Sequence, residues 1–215
     1  MTRRRASGAI GAVLAIALLQ GCNSNRSWHA IDVSGSSPSL AFTLSRAPDG
    51  KTVTAADYRG KVVLLYLGYT YCPDVCPTTL ANLSDALKRL GPEASHIRVL
   101  FVTVDPARDT LPVLASYAKS FAAQVQGLRG TPDQLAAVAR RYRLVYSVKP
   151  GSVDEPEEVT HSSAIYVFDK TGAARLLIAS LSTTNPDIAG TAVDLKRLVE
   201  DSASPSLLAR LLRLV

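Results

Sequence analysis

The chain has 215 residues, 47% of them hydrophobic, which is enough apolar material for one packed core. Its formal charge is +6, but Arg3, Arg4 and Arg5 account for half of that, so the remainder is only mildly basic. No run of Lys and Arg is interleaved with aromatics, which argues against a nucleic-acid partner.

After the arginines an apolar run from Ala9 to Leu19 is too short to span a bilayer comfortably. It stops at Leu19-Gln20-Gly21-Cys22, an order that resembles a bacterial lipobox, in which the cysteine is lipidated and becomes the new N-terminus. The expectation is a signal peptide over residues 1–21 and an exported cell-envelope lipoprotein. The lipid on Cys22 would hold it to the membrane, facing the periplasm or extracytoplasmic side. Residues 22–38 are rich in Ser, Asn and Gly and read as a flexible tether. His29 lies within it, with nothing evident to hold it. Cys72 and Cys76 are then the two cysteines left in an oxidising compartment, where a disulfide is the default expectation.

One domain is expected over residues 39–203. Asp49-Gly50 between short apolar runs predicts an N-terminal hairpin. Residues 62–69, "VVLLYLGY", predict a strand buried on both faces. Leu80, Leu83, Leu87 and Leu90 recur at helical spacing, Pro77 suits the first turn, and Gly91-Pro92 ends the helix. Residues 97–105, "IRVLFVTVD", predict a second buried strand, parallel to the first in a βαβ unit. Helices follow over about residues 110–123 and 132–142, then a hairpin turning at Lys170-Thr171-Gly172, then a helix over about residues 186–200. The basic, amphipathic tail 204–215 reads as a docking helix. The pattern is α/β with a central mixed sheet flanked by helices, and the position of the cysteines within it points to a thioredoxin-like fold.

Cys72 follows the C-terminal end of the first buried strand, and Cys76 lies where the next helix begins. Ligand chemistry in open α/β sheets collects at that edge, and the helix N-terminus favours thiolate there. Three residues separate the sulfurs, against two in a thioredoxin-type motif. That spacing permits a disulfide and also lets both thiolates face one ion. His96 precedes the second parallel strand, at the opposite edge, and is ruled out as a third ligand. His161 precedes the last hairpin and reaches the cysteine edge only if that strand runs antiparallel, which the residues alone leave open. Asp105 is weighed between tuning the site and capping the turn into Pro106-Ala107-Arg108. Asp109 reads as a helix N-cap, Asp74 as an attractor for a cation or partner, and Asp154, Glu155, Glu157 and Glu158 as a solvated acidic loop.

Three blocks, "GYTYCPDVCPTTL", "VTVDPARDT" and "HSSAIYVFDKTG", together resemble the Sco/SenC family of copper-binding, thioredoxin-like proteins, over most of residues 40–200. The resemblance implies an antiparallel strand after His161, so that His161 joins Cys72 and Cys76 as ligands of one copper ion. It implies assistance in assembling the binuclear copper centre of cytochrome c oxidase, with that centre's subunit as partner. The role would be copper delivery, or reduction of the centre's cysteines through the Cys72/Cys76 pair as a thiol-disulfide oxidoreductase. Two positions depart from the usual pattern: Tyr71, where His or Phe is common, and Thr160, where Asp often precedes the histidine. Thr160 would then alter what orients the imidazole. Two thiolates and an imidazole suit Cu(I), whereas structural zinc would want a fourth ligand, for which Asp74 and Asp105 are the candidates.

Overall fold

The computed structural model describes residues 27–149, 151 and 158–201. The signal peptide, Cys22, Asp154, Glu155, Glu157 and the tail 204–215 lie outside these described residues.

The core is built on β4 (Val62–Gly68), every residue of which is buried. Full burial on both faces explains its continuous apolar sequence, since neither side meets water. It pairs in parallel with β5 (Ile97–Thr103), from Val62 opposite Ile97 to Gly68 opposite Thr103. Helix α1 (Val75–Leu90) makes the crossover between them. It buries Leu80, Leu83, Leu87 and Leu90 along one stripe and ends at Gly91, whose φ of 58° few other residues tolerate. Helices α2 (Leu111–Lys119), α3 (Pro132–Tyr142) and α4 (Ile188–Asp201) complete the layers.

Among the described residues the main sheet has eight strands, in the order β1 (Ile31–Asp32), β10 (Ala174–Ile178), β9 (Ile165–Phe168), β4, β5, β6 (Val125–Arg129), β2 (Thr43–Arg46) and β3 (Thr52–Thr54). The expected N-terminal hairpin is present as β2 (Thr43–Arg46) and β3 (Thr52–Thr54), added to one edge. The last hairpin is β9 (Ile165–Phe168) and β10 (Ala174–Ile178). Strand β9 is antiparallel to β4, with Leu65 opposite Tyr166 and Val63 opposite Phe168. Its N-terminal end therefore lies at the edge where β4 ends.

Four strands have no counterpart among the expected elements. Strand β6 (Val125–Arg129) extends the sheet in parallel beyond β5. Its centre is Gly127, where a Cβ would meet the Leu114 Cβ at 2.9 Å, so close packing of α2 replaced the apolar side chain that would have marked a strand. Strands β7 (Tyr146–Lys149) and β8 (Glu158–His161) form a separate two-stranded sheet.

The fourth, β1 (Ile31–Asp32), lies within the stretch expected as a tether and pairs with β10, so that these two residues belong to the sheet. The buried Asp194 carboxylate accepts hydrogen bonds from the His29 and Ala30 amides at 3.2 and 2.8 Å. The Arg197 guanidinium lies over the Trp28 ring, 3.9 Å from its centroid. His29 is held after all, its Nδ1 3.1 Å from an Asp187 carboxylate oxygen. The polar composition of this stretch masked backbone pairing, which needs no particular side chains.

Candidate metal centre

Strand β4 ends at Gly68, and residues 69–74 turn back into the N-terminus of α1. This loop is tied down by Asp109, whose fully buried carboxylate accepts from the Thr70 amide at 3.0 Å, the Thr70 hydroxyl at 2.5 Å and the Thr103 hydroxyl at 2.6 Å. Asp109 is thus not the N-cap of α2; Thr110 holds that position. Burial selected a carboxylate here because three converging donors compensate its lost hydration.

The loop sets Cys72 and Cys76 at different depths. Cys76 is 0% exposed, while Cys72 is half-buried; both are free thiols. The Cys76 amide donates to the Cys72 sulfur at 3.3 Å, using one of the unpaired N–H groups at the helix start. Gly68 makes room below, since a Cβ there would lie 2.7 Å from the Cys76 sulfur. Burial pushes the Cys76 thiol up to about 12, outweighing the N–H groups expected to favour thiolate.

His161 arrives from the other side. Strand β8 pairs with β7 so that His161 stands opposite Tyr146, and the Ser162 amide donates to the Val145 carbonyl at 2.8 Å. The ring packs edge-on against Tyr69 and Tyr66, with centroids 5.8 and 6.1 Å away. Its Nδ1 lies 3.1 Å from the Ser162 carbonyl oxygen, and its Nε2 lies 3.1 Å from the Cys76 sulfur. A proton on Nδ1 donated to that carbonyl leaves the Nε2 lone pair facing the sulfurs. Burial holds the imidazole below its ordinary pKa despite this hydrogen bond, so it is neutral at pH 7.

The Cys72, Cys76 and His161 donor atoms all lie within 4.8 Å of one another. Cys72 and His161 open on a cleft of about 320 Å³ lined also by Pro73, Asp74, Val75 and Thr160, while Cys76 lies behind them. Among the described residues no other cluster of this kind includes a cysteine or histidine, and no carboxylate joins it. Asp105 is committed elsewhere: it accepts from the Arg108 amide at 3.3 Å and forms an ion pair with the Arg108 guanidinium, the turn-capping role. Asp74 stands at the N-cap position of α1 and accepts from the Thr78 hydroxyl at 3.2 Å. Thr160 is exposed opposite Ser147, and the carbonyl that orients the imidazole is that of Ser162. His96 lies at the far edge, just before β5. Sequence reasoning did not single out Gly68, Tyr66, Tyr69, Thr103 or Ser162. Only Gly68 carries a signal, as a glycine closing an otherwise apolar strand.

The SCO1/SenC family model matches residues 36–199. The chain is 42% identical over 125 residues to the mitochondrial SCO2 homolog of Bos taurus, covering 57% of this chain and 47% of that protein. It is 39% identical over 129 residues to protein SenC of Rhodobacter capsulatus, covering 60% of this chain and 57% of that protein. The chain thus spans about half the length of these curated relatives. Among solved structures, Bradyrhizobium japonicum ScoI with copper bound is similar with a TM-score of 0.65 at 35% identity, covering 74% of this chain and 98% of that one.

Proposed function

The chain belongs to the SCO1/SenC family, and from that premise we propose that it is a copper chaperone that carries one copper ion on Cys72, Cys76 and His161 and assists assembly of the binuclear copper centre of cytochrome c oxidase. The observation that carries the reading is the convergence of two sulfurs and an imidazole nitrogen within 4.8 Å. Three soft donors without a carboxylate suit Cu(I), which accepts three-coordination, better than structural zinc. Copper is cargo in this reading. Cys76 is the buried anchor, while the half-buried Cys72 and His161 face the cleft and can be exchanged for an acceptor's ligands. The copper-bound state of Bradyrhizobium japonicum ScoI supports the same cargo here.

A lipid on Cys22 would tether the domain to the extracytoplasmic side of a membrane, within reach of an oxidase subunit. Among the described residues no helix is long and apolar enough to cross a membrane.

The test is copper stoichiometry of the reduced protein, followed by transfer to the oxidase copper subunit. We expect one copper per chain, with Cys72→Ser and His161→Ala weakening binding and blocking transfer. Tight binding unaffected by His161→Ala would sink the three-ligand site. A second reading, a thiol-disulfide oxidoreductase, rests on the two free sulfurs lying within 4.8 Å, with Cys72 accessible. It predicts a reduction potential low enough to reduce a partner's cysteines and no dependence on His161.

A further inference from the structure

Tyr66 is 0% exposed in the middle of β4, and its hydroxyl has no hydrogen-bond partner. A buried hydroxyl left unpaired costs stability, and a phenylalanine would fill the same space without that cost. Tyr66 nevertheless adjoins the candidate metal centre. Its hydroxyl neighbours the side chains of Cys76 and Thr79, without a hydrogen bond of acceptable geometry to either. The Thr79 hydroxyl, one turn into α1 and also 0% exposed, is likewise unpaired. The same Tyr66 ring packs edge-on against His161, 6.1 Å between centroids. One residue therefore adjoins two of the three candidate ligands, with a donor that the metal-free protein leaves unused.

We propose that Tyr66 is a positioning residue for the bound metal: its hydroxyl donates a hydrogen bond to the Cys76 sulfur once that sulfur is a metal-bound thiolate, and Thr79 supports the tyrosine oxygen from behind. A neutral thiol is a weak acceptor and gives the hydroxyl little to bond, whereas a thiolate carries charge and accepts strongly. Cys76 is walled off from water by Gly68, Phe101 and α1, so solvent cannot solvate that charge and a protein donor must. Tyr66 thus gives up stability in the empty protein for a hydrogen bond realised in the loaded one. Donors to a ligating sulfur withdraw electron density from it and so tune both affinity and the metal–thiolate bond.

This inference rests on the copper reading above, and the experiment separates the two. Wild type, Tyr66→Phe and Thr79→Val are compared in three measurements: urea unfolding of the metal-free protein, Cu(I) affinity by competition with a chromogenic chelator, and the thiolate-to-Cu(II) charge-transfer band. Tyr66→Phe is expected to move the metal-free unfolding midpoint to higher urea. It should also weaken Cu(I) binding by roughly tenfold, the worth of one hydrogen bond to a charged group, and shift the band to longer wavelength. Thr79→Val should change the same readouts in the same directions by less. Opposite signs in the two states are what a purely structural tyrosine would not produce. Unchanged affinity and an unchanged band in Tyr66→Phe, beside a wild type that binds copper, would overturn the proposal alone. A wild type that binds no copper would overturn the copper reading, and this proposal with it.

Discussion

Substituting Gly68 tests whether the space beneath the cysteines is as tight as it looks. Its φ lies outside the left-handed region, so an alanine meets no backbone strain, only neighbours. The added Cβ would lie 2.5 Å from Phe101 Cε2 and 2.7 Å from the Cys76 sulfur. Non-bonded heavy atoms rest comfortably at roughly 3.5 Å, so the sulfur must retreat by about 0.8 Å or the strand must shift by as much. Both neighbours are 0% exposed and packed on all sides, so neither can swing into solvent. Overpacking of this kind costs about 1–3 kcal/mol. Metal sites tolerate ligand displacements of only about 0.2 Å, so the displaced sulfur should also weaken copper binding. We expect Gly68→Ala to lower the urea unfolding midpoint and to reduce Cu(I) affinity roughly 10- to 100-fold, the scale of disturbed support around a metal ligand. Chelator competition on the loaded protein and unfolding of the metal-free protein read the two effects separately. A variant that matched wild type in both would refute the reasoning, since it would mean that Phe101 and Cys76 give way without cost.

Asp109→Ala removes the acceptor of three donors and is expected to cost about 3 kcal/mol; alkylation of the buried Cys76 should also become faster as the loop loosens. Asp194→Ala leaves the His29 and Ala30 amides without their acceptor and should expose the chain before Val33 to protease while Cu(I) affinity stays at the wild-type value. Because burial holds the Cys76 thiol up at about 12, copper loading at neutral pH must displace its proton. Each proton displaced raises apparent affinity by about tenfold per pH unit, so affinity that does not rise between about pH 6 and 8 would contradict the buried thiol. For Asp169, burial pushes the carboxyl up, but hydrogen bonds from Thr171, Ala173 and Arg175 outweigh it and hold the group below its ordinary value. Its contribution is therefore full above the unfolded value of about 3.9 and is lost as pH falls through the lower folded value. Asp169→Asn should flatten the loss of stability between pH 7 and about pH 3, as read by urea midpoints.

Local patterns carried much of the fold. The apolar run of β4, the leucine stripe of α1 and the turn at Asp49-Gly50 each announce their element through interactions within a few residues, and each element is present. Strands that owe their existence to a neighbour were silent. Gly127 is in β6 because α2 packs on it, and Ile31–Asp32 is a strand because β10 offers an edge. Asp109 shows the same limit for a side chain. Its place before a helix suggests a cap, but burial beside Thr70 and Thr103 makes it a brace between the cysteine loop and β5.

The local pattern of residues places two cysteines where a buried strand gives way to its crossover helix, hence at the reactive edge of the sheet. It also excluded His96, because parallel strands put that residue at the other end. Which histidine meets the sulfurs, and in what state, depends on contacts between segments distant in the chain. Strand β9 runs antiparallel to β4, the β7–β8 pair and the Ser162 carbonyl orient the ring, and burial keeps it neutral. The depths of the two cysteines were also settled by packing. Gly68 and Phe101 close around Cys76 and leave Cys72 at the cleft, a difference that two identical side chains four residues apart cannot encode locally.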